Sequence, residues 1–204
     1  MKRPSSGIDI IKDDGSATYR DNFFDCSEAD CFLAGLISEV PWTQDSIKMF
    51  GRSVLQPRLT CWMGDFGAAY KYSGLLMEPK PWSPIVNQIK TRVEEALDVS
   101  FNSALLNYYR HGLDSMGWHR DNEKELGHQP VIASVSFGAE RRFEFRRYKT
   151  KDEKISLQLG HGSVLIMSGD LQQFWEHSLP KAAKLKALNL GSRVNITFRK
   201  VALG

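Results

Sequence analysis

The sequence predicts an α+β fold in which two helices are followed by a jelly-roll barrel of short strands. Two observations predict it. Apolar residues recur at helical spacing in two segments of the first hundred residues, and beyond them short segments rich in β-forming residues follow one another, separated by glycines. Helices followed by a series of short strands are typical of such a two-sheet barrel. The 204 residues, 42% of them hydrophobic, suffice for a single domain.

The two helices have recognisable first residues. The first is expected from Ser27, as its N-cap, to Glu39. The second is expected to be capped by Ser83, with Pro84 at the first helical position, and to end near Leu97.

The strands follow in the second half of the chain. They are predicted at residues 104–109, 131–137, 142–148, 155–159, 163–167 and 194–198. We therefore expect residues 101–200 to form the barrel and residues 1–100 to supply the helices that pack on one of its sheets.

Composition excludes several classes of protein. No stretch approaches the roughly 18 apolar residues of a membrane span, and the N-terminus has no apolar signal segment, so a soluble, cytoplasmic protein is expected. Cys26, Cys31 and Cys61 form an odd set without CxxC spacing. Buried, reduced thiols are the expected state.

Charge is unevenly distributed along the chain. The net charge is +3, but residues 1–50 carry five Lys/Arg against nine Asp/Glu, so the remainder carries +7. The densest basic stretch runs from Arg141 to Lys151. It indicates either a polyanionic partner or a solvated sheet edge.

Three residues form a candidate metal site. In an extended segment His119 and Asp121 point to the same face, and His177 can supply a third ligand from another strand. Two histidines and one carboxylate leave open positions on an octahedral metal, as in non-haem Fe(II) oxygenases. A His-x-Asp pair alone is a weak signal.

The C-terminal segment RVNITFR strengthens that signal because it alternates with period two. Its polar face carries Arg193, Asn195, Thr197 and Arg199. This face either meets water or lies inside a barrel, where two guanidiniums could bind a dicarboxylic acid from both ends. Asn107 and Tyr109 share one face of an earlier strand and could add polar contacts.

Together, HxD, His177 and RxNxTFR resemble the AlkB family of Fe(II)/2-oxoglutarate-dependent dioxygenases, with the resemblance extending from about Met49 to Lys200. It implies a double-stranded β-helix (jelly-roll) core with a nucleotide-recognition lid within the first hundred residues. It implies Fe(II), 2-oxoglutarate and O₂ as cofactor and cosubstrates. The implied iron ligands are His119, Asp121 and His177. The implied 2-oxoglutarate contacts are Asn107, Tyr109, Arg193 and Arg199, with Asn195 in support.

The sequence is most similar to the branch of the family that acts on double-stranded DNA. The resemblance implies oxidative removal of methyl groups from 1-methyladenine and 3-methylcytosine, with release of formaldehyde, succinate and CO₂. Because the damaged atom lies on the Watson–Crick edge, the base must be flipped out of the duplex. Phe50 matches the aromatic wedge that fills the vacated stack, with Met49 beside it. Arg58 matches a residue that holds the DNA near the lesion.

Further positions match residues around the flipped base. Tyr72 resembles the aromatic that stacks on the base opposite His119, and Tyr70 is a second pocket candidate. Glu123 matches an acid that meets the exocyclic amine, and Arg146 matches an arginine that contacts DNA. Cross-strand packing of the tyrosines and a solvated loop carboxylate are the alternatives.

Two other functions remain open. The first is a demethylase of the same fold acting on RNA, against which Phe50 and Arg58 argue. The second is a nucleic-acid-binding module with a vestigial metal site, against which the complete set of ligands argues. The expected partner is alkylated, double-stranded DNA, with no membrane contact. The expected protein is a monomer, in the bacterial cytosol or in a eukaryotic nucleus.

Overall fold

The structure, a computed structural model, describes residues 7–49, 52–68, 70–72, 75–183, 187 and 189–202. Its helices are α1 (Cys26–Glu39), α2 (Pro84–Leu97) and the short α3 (Leu171–Phe174), with a 3₁₀ turn at Lys124–Leu126. Its strands are β1 (Ile8–Ile11), β2 (Ser16–Arg20), β3 (Ser46–Met49), β4 (Arg52–Leu55), β5 (Leu59–Gly64), β6 (Tyr70–Tyr72), β7 (Leu75–Met77), β8 (Ser103–Tyr109), β9 (Met116–His119), β10 (Ile132–Gly138), β11 (Arg141–Arg147), β12 (Lys154–Leu159), β13 (Ser163–Ser168), β14 (Trp175–Leu179) and β15 (Arg193–Arg199).

Two antiparallel sheets form the barrel, as predicted. The larger has seven strands in the order β1-β2-β13-β10-β15-β8-β5, and the smaller has four in the order β12-β11-β14-β9. Each of the six predicted strands matches an observed strand to within one residue at either end. Two separate hairpin pairs, β3–β4 and β6–β7, lie outside these sheets.

The helices cover the outer face of the larger sheet. Val135 and Phe137 of β10 lie in one buried cluster with Phe32 and Leu36 of α1 and Ile89 of α2. Burying one apolar side chain of this size contributes about 1.5–3 kcal/mol to the stability of the fold. The helices therefore stabilise the sheet through contacts on its outer face. The inner face of the same sheet is thereby left for the site between the sheets.

One helix begins where the sequence predicts and the other does not. Ser83 caps α2, its Oγ accepting from the amide of Val86, and Pro84 is the first residue. Ser27 as the cap of α1 is wrong. Asp25 is the cap, and its carboxylate accepts from the amide of Glu28 at 2.9 Å. A carboxylate is also a favourable charge at a helix N-terminus.

The acidic N-terminal region contributes two strands that the sequence analysis did not predict. β2 pairs with β13, and β1 pairs with β2, so this segment extends the larger sheet. Asp14, between them, forms an ion pair with Arg147 of the smaller sheet at 2.6 Å. The segment therefore links the two sheets at one end of the barrel.

The prediction of three buried thiols holds only for Cys61. Cys26 and Cys31 lie on exposed positions of α1, while Cys61 is buried in β5, and all three are free. The period of α1 turns Phe32 and Leu36 to the sheet and leaves its cysteines on the solvent side. Among the described residues, no helix has the length and apolar character needed to cross a membrane.

Candidate metal and 2-oxoglutarate site

The three residues predicted as metal ligands meet between the two sheets. One ligand atom from each of His119, Asp121 and His177 lies within 4.8 Å of the others. His119 ends β9 and His177 lies opposite it on β14, with ring centroids 4.2 Å apart. Residues that are 58 positions apart in the chain are thus neighbours because their strands pair.

A β-bulge turns His119 toward the interior. His119 pairs with His177 and Met116 with Leu179, so three steps along β9 match two steps along β14. The extra residue breaks the alternation and allows both Met116 and His119 to line the same cavity. Without it, regular period two would put one of them on the outer face.

Both histidines are neutral imidazoles, the form that binds a metal. The Nδ1 of His119 lies 2.9 Å from the carbonyl oxygen of Gly117, and a protonated Nδ1 donating there leaves Nε2 with its lone pair. Burial, reinforced by the positive charge of the other histidine, lowers the pKa of His177 to about 3. Burial also lowers the pKa of His119.

The third ligand is held as a carboxylate. Burial alone would raise the pKa of Asp121, but the charge of Arg199 and the two histidines lower it to about 2. The Nη2 of Arg199 donates to both oxygens of Asp121 at 3.0 Å. The backbone amide of Asp121 donates to the Oε1 of Gln172 at 2.9 Å.

Arg193 has a buried guanidinium that can donate a hydrogen bond to one further acceptor. It is 2% exposed, and its Nη2 donates to the Oγ of Ser136 at 2.8 Å. Its Nε has no hydrogen-bond partner among the described residues. Burial lowers the pKa of Arg193 to about 10, although the group stays charged at neutral pH.

Polar groups of neighbouring strands complete this side of the cavity. Tyr109 lies opposite Arg193, and Asn107 lies opposite Asn195, in the pairing of β8 with β15. The amide of Asn195 is engaged by the protein, since its Nδ2 donates to Ser134 and to the carbonyl of Val135 at 2.8 Å each. It can therefore support the site rather than bind directly.

These residues fit Fe(II) and 2-oxoglutarate. The donor set of two neutral imidazoles and one carboxylate suits Fe(II) and leaves coordination positions open. The Nε of Arg193, which has no partner in the described part of the chain, is the kind of donor that a buried carboxylate of 2-oxoglutarate would satisfy. All eight residues predicted as iron or 2-oxoglutarate contacts line one cavity: Asn107, Tyr109, His119, Asp121, His177, Arg193, Asn195 and Arg199.

The residues predicted to contact DNA are less fully described. Phe50 lies outside the described residues. Met49 ends β3 and pairs with Arg52 of β4. Tyr70 and Tyr72 lie in β6, but their side chains are outside the described part of the chain. Their roles stay predictions.

Three other predicted DNA contacts have defined surroundings. Arg58 is 5% exposed, and its Nε donates at 2.8 Å to the Oδ1 of Asn107, a residue that lines the cavity. Arg146 forms an ion pair with Glu176, and its guanidinium lies 4.0 Å from the centre of the Trp118 ring. Glu123 is half-buried at the start of the 3₁₀ turn that follows Asp121.

Several residues of the site were not predicted from the sequence. Gln172 reaches Asp121 from α3, and Phe143 stacks on the ring of His177 with centroids 5.5 Å apart. Ser134 also lines the cavity, together with Thr197, which the alternation of RVNITFR places on the polar face of β15. Nothing in the sequence pairs Gln172 with Asp121.

Comparison with known proteins agrees with this geometry. Residues 16–199 match the model of the 2OG-Fe(II) oxygenase superfamily. The chain is 42% identical over 188 residues to human alpha-ketoglutarate-dependent dioxygenase alkB homolog 3, covering 88% of this chain and 64% of that protein. It is 40% identical over 190 residues to the human DNA oxidative demethylase ALKBH2, covering 88% and 71% of the two chains.

A solved structure, that of OsALKBH1, shares the fold. It superposes with a TM-score of 0.64 at 16% identity and covers 90% of this chain and 97% of its own. The chain therefore belongs to the AlkB family of 2OG-Fe(II) oxygenases. It spans slightly less than two thirds of the length of its alkB homolog 3 relatives.

Proposed function

We propose that this protein is an Fe(II)- and 2-oxoglutarate-dependent oxidative demethylase that repairs 1-methyladenine and 3-methylcytosine in DNA. The observation that carries the proposal is that the His119, Asp121 and His177 cluster lines one cavity with the buried guanidinium of Arg193. The similarity to a protein named DNA oxidative demethylase supports DNA as the substrate.

Different residues of the site would bind the metal and the co-substrate. Iron and 2-oxoglutarate, when bound, supply the oxidation of an N-methyl group by O₂, with formation of succinate and CO₂. His119, Asp121 and His177 would hold the iron, and Arg193 would bind a carboxylate of 2-oxoglutarate. The hydroxylated methyl group then leaves the base as formaldehyde.

The methylated base is expected to enter the site by flipping out of a duplex. The antiparallel pair β3–β4, which flanks Phe50 in the sequence, supports the wedge inferred from the family resemblance. A methylated adenine or cytosine is cationic at neutral pH, so the carboxylate of Glu123 would favour the lesion over the normal base. We expect the protein to act as a monomer, in the compartment of the cell that contains the DNA.

The test uses two oligonucleotides that carry one 1-methyladenine each, one single-stranded and one in a duplex. With Fe(II), 2-oxoglutarate and ascorbate, mass spectrometry should show loss of the methyl group from both, and the duplex should be repaired at least as fast. His119→Ala should remove this activity and keep the fold. Absence of repair on both substrates, with iron and 2-oxoglutarate bound, would move the substrate away from methylated DNA, and methylated RNA would be tried next.

Phe50 is tested separately. Phe50→Ala should reduce duplex repair more than single-strand repair, because only the duplex leaves a gap to fill. An equal loss on both substrates would refute the wedge.

A further inference from the structure

Arg58 is not among the residues that line the cavity, but it contacts one of them, Asn107, on the co-substrate side. It directly precedes β5, whose Thr60 pairs with Asn107 of β8. Its Nε donates to the Oδ1 of Asn107 at 2.8 Å, and its Nη1 lies 3.4 Å from the carbonyl oxygen of Ser115. The carbonyl of Pro57 accepts from the amide of Ser115 at 2.9 Å, so this segment is fixed against the residue before β9.

The hydrogen bond determines which way the Asn107 amide points. A guanidinium has donors only, so the atom of Asn107 that faces Arg58 must be the oxygen. The Nδ2 group is therefore turned away from Arg58, on an amide that lines the cavity. If Arg58 were absent, the amide could rotate by half a turn at little cost.

The orientation matters because of what the cavity is built to bind. 2-Oxoglutarate presents carboxylate and keto oxygens, all of them acceptors. An NH₂ group donates to such oxygens, whereas an amide oxygen in its place would repel them. The second asparagine of the cavity cannot make up for an inverted Asn107, since its Nδ2 is already committed to Ser134 and Val135.

We infer that Arg58 is a positioning residue for 2-oxoglutarate, which orients the Asn107 amide so that its NH₂ faces the co-substrate. The inference rests on the proposed function, because it assumes that 2-oxoglutarate occupies the cavity. It also differs from the role in DNA binding implied by the family resemblance. Arg58 is buried, and its hydrogen bonds within the described part of the chain go to the Oδ1 of Asn107 and to the carbonyl oxygen of Ser115.

The experiment measures 2-oxoglutarate binding in the absence of nucleic acid. The full chain is saturated with Mn²⁺, which does not support turnover, and 2-oxoglutarate is titrated by calorimetry. Arg58→Ala should weaken binding by about tenfold, equivalent to about 1.4 kcal/mol. In an Asn107→Ala background, the same substitution should change the affinity less than about twofold, because there is no amide left to orient.

Two further variants separate orientation from charge and from folding. Asn107→Asp should keep the fold through an ion pair with Arg58, yet weaken 2-oxoglutarate binding, because it offers only acceptors. Arg58→Met keeps the bulk of the buried side chain without any donor and is used if Arg58→Ala does not fold. It should also weaken binding. Arg142→Ala, on an exposed side chain of β11, is the matched control and should bind as the wild type does.

The outcomes distinguish the inference from the proposed function. If the wild type does not bind 2-oxoglutarate, both fail. If the wild type binds and the folded Arg58 variants bind equally well, the proposed function stands and the inference is wrong. An equal loss in the Asn107→Ala background would also overturn it, since Arg58 would then act by charge alone.

Discussion

Arg199 holds the carboxylate of Asp121 with one nitrogen, its Nη2, which lies 3.0 Å from each carboxylate oxygen. Both side chains are nearly inaccessible to solvent, with 2% of each exposed. The family resemblance assigns Arg199 to 2-oxoglutarate, whereas in the structure it is tied to a candidate iron ligand. It therefore controls the charge of the site as well as its shape.

Replacing Arg199 should destabilise the metal-free protein and matter less once metal is bound. Arg199→Met leaves a buried carboxylate without its cation, which costs about 3–5 kcal/mol. Bound Mn²⁺ supplies a positive charge to the same carboxylate, so the difference from the wild type should shrink in saturating Mn²⁺. Urea unfolding with and without Mn²⁺ measures both values. A deficit that is the same in both conditions would contradict this coupling.

Replacing Arg193, unlike Arg199, should not destabilise the protein that lacks its co-substrate. Burial lowers its pKa to about 10 from an ordinary 12.5, which corresponds to a destabilisation of about 3 kcal/mol at neutral pH. Arg193→Met removes this charge, so the co-substrate-free variant should be as stable as the wild type or more stable. It should no longer bind 2-oxoglutarate. Urea unfolding and calorimetric titration check the two parts. A strongly destabilised variant would refute the first.

Gln172 should support metal binding without touching the metal. Its Oε1 accepts from the backbone amide of Asp121 at 2.9 Å, and it is 3% exposed. Gln172→Met leaves that buried amide without an acceptor, which costs about 1–3 kcal/mol, and should weaken Mn²⁺ binding. Gln173→Met is the control, since the exposed side chain of Gln173 bonds to Asp170 and does not reach the site. Unchanged Mn²⁺ affinity in Gln172→Met would argue against a positioning role.

The metal-free protein should lose stability in mild acid. The pKa of His177 is lowered to about 3 in the folded protein, and that of His119 is also lowered, while unfolded histidine titrates near 6.5. As the pH falls below about 6.5, the unfolded chain takes up protons that the folded protein does not. Stability should then fall by about 1.4 kcal/mol per pH unit for each fully depressed histidine.

Urea unfolding of the metal-free protein between pH 7.5 and 5.5 measures this slope, with His177→Gln as the comparison. The variant lacks one of the two depressed histidines and should show a shallower slope. The same slope in both proteins would show that other groups cause the acid sensitivity.

Local pattern was enough to predict much of the architecture. The cap and first proline of α2 and the six strands of the second half follow from residues adjacent in the chain. The alternation of RVNITFR predicted that Arg193, Asn195 and Arg199 share a face. The HxD spacing with a distant histidine indicated the metal cluster. Except for the distant histidine, which the family resemblance identifies, these signals are short-range properties of helix or strand geometry.

Other features were beyond local pattern. The choice of Asp25 over Ser27 as the cap of α1 depends on how the chain enters the helix. The N-terminal strands are ordered by pairing with β13, far along the chain. The bulge in β9 is visible only in its register against β14.

The sequence by itself determined the family, the candidate metal ligands and the arginine-bearing strand, because these depend on residue type and on the spacing of motifs along the chain. Only the tertiary structure decided the partners of the buried charges. Asp121 meets Arg199 across 78 positions, and Arg58 meets Asn107 across 49. The physical reason is that a buried polar group must find a partner, and which partners are in reach is set by the pairing of strands distant in the chain.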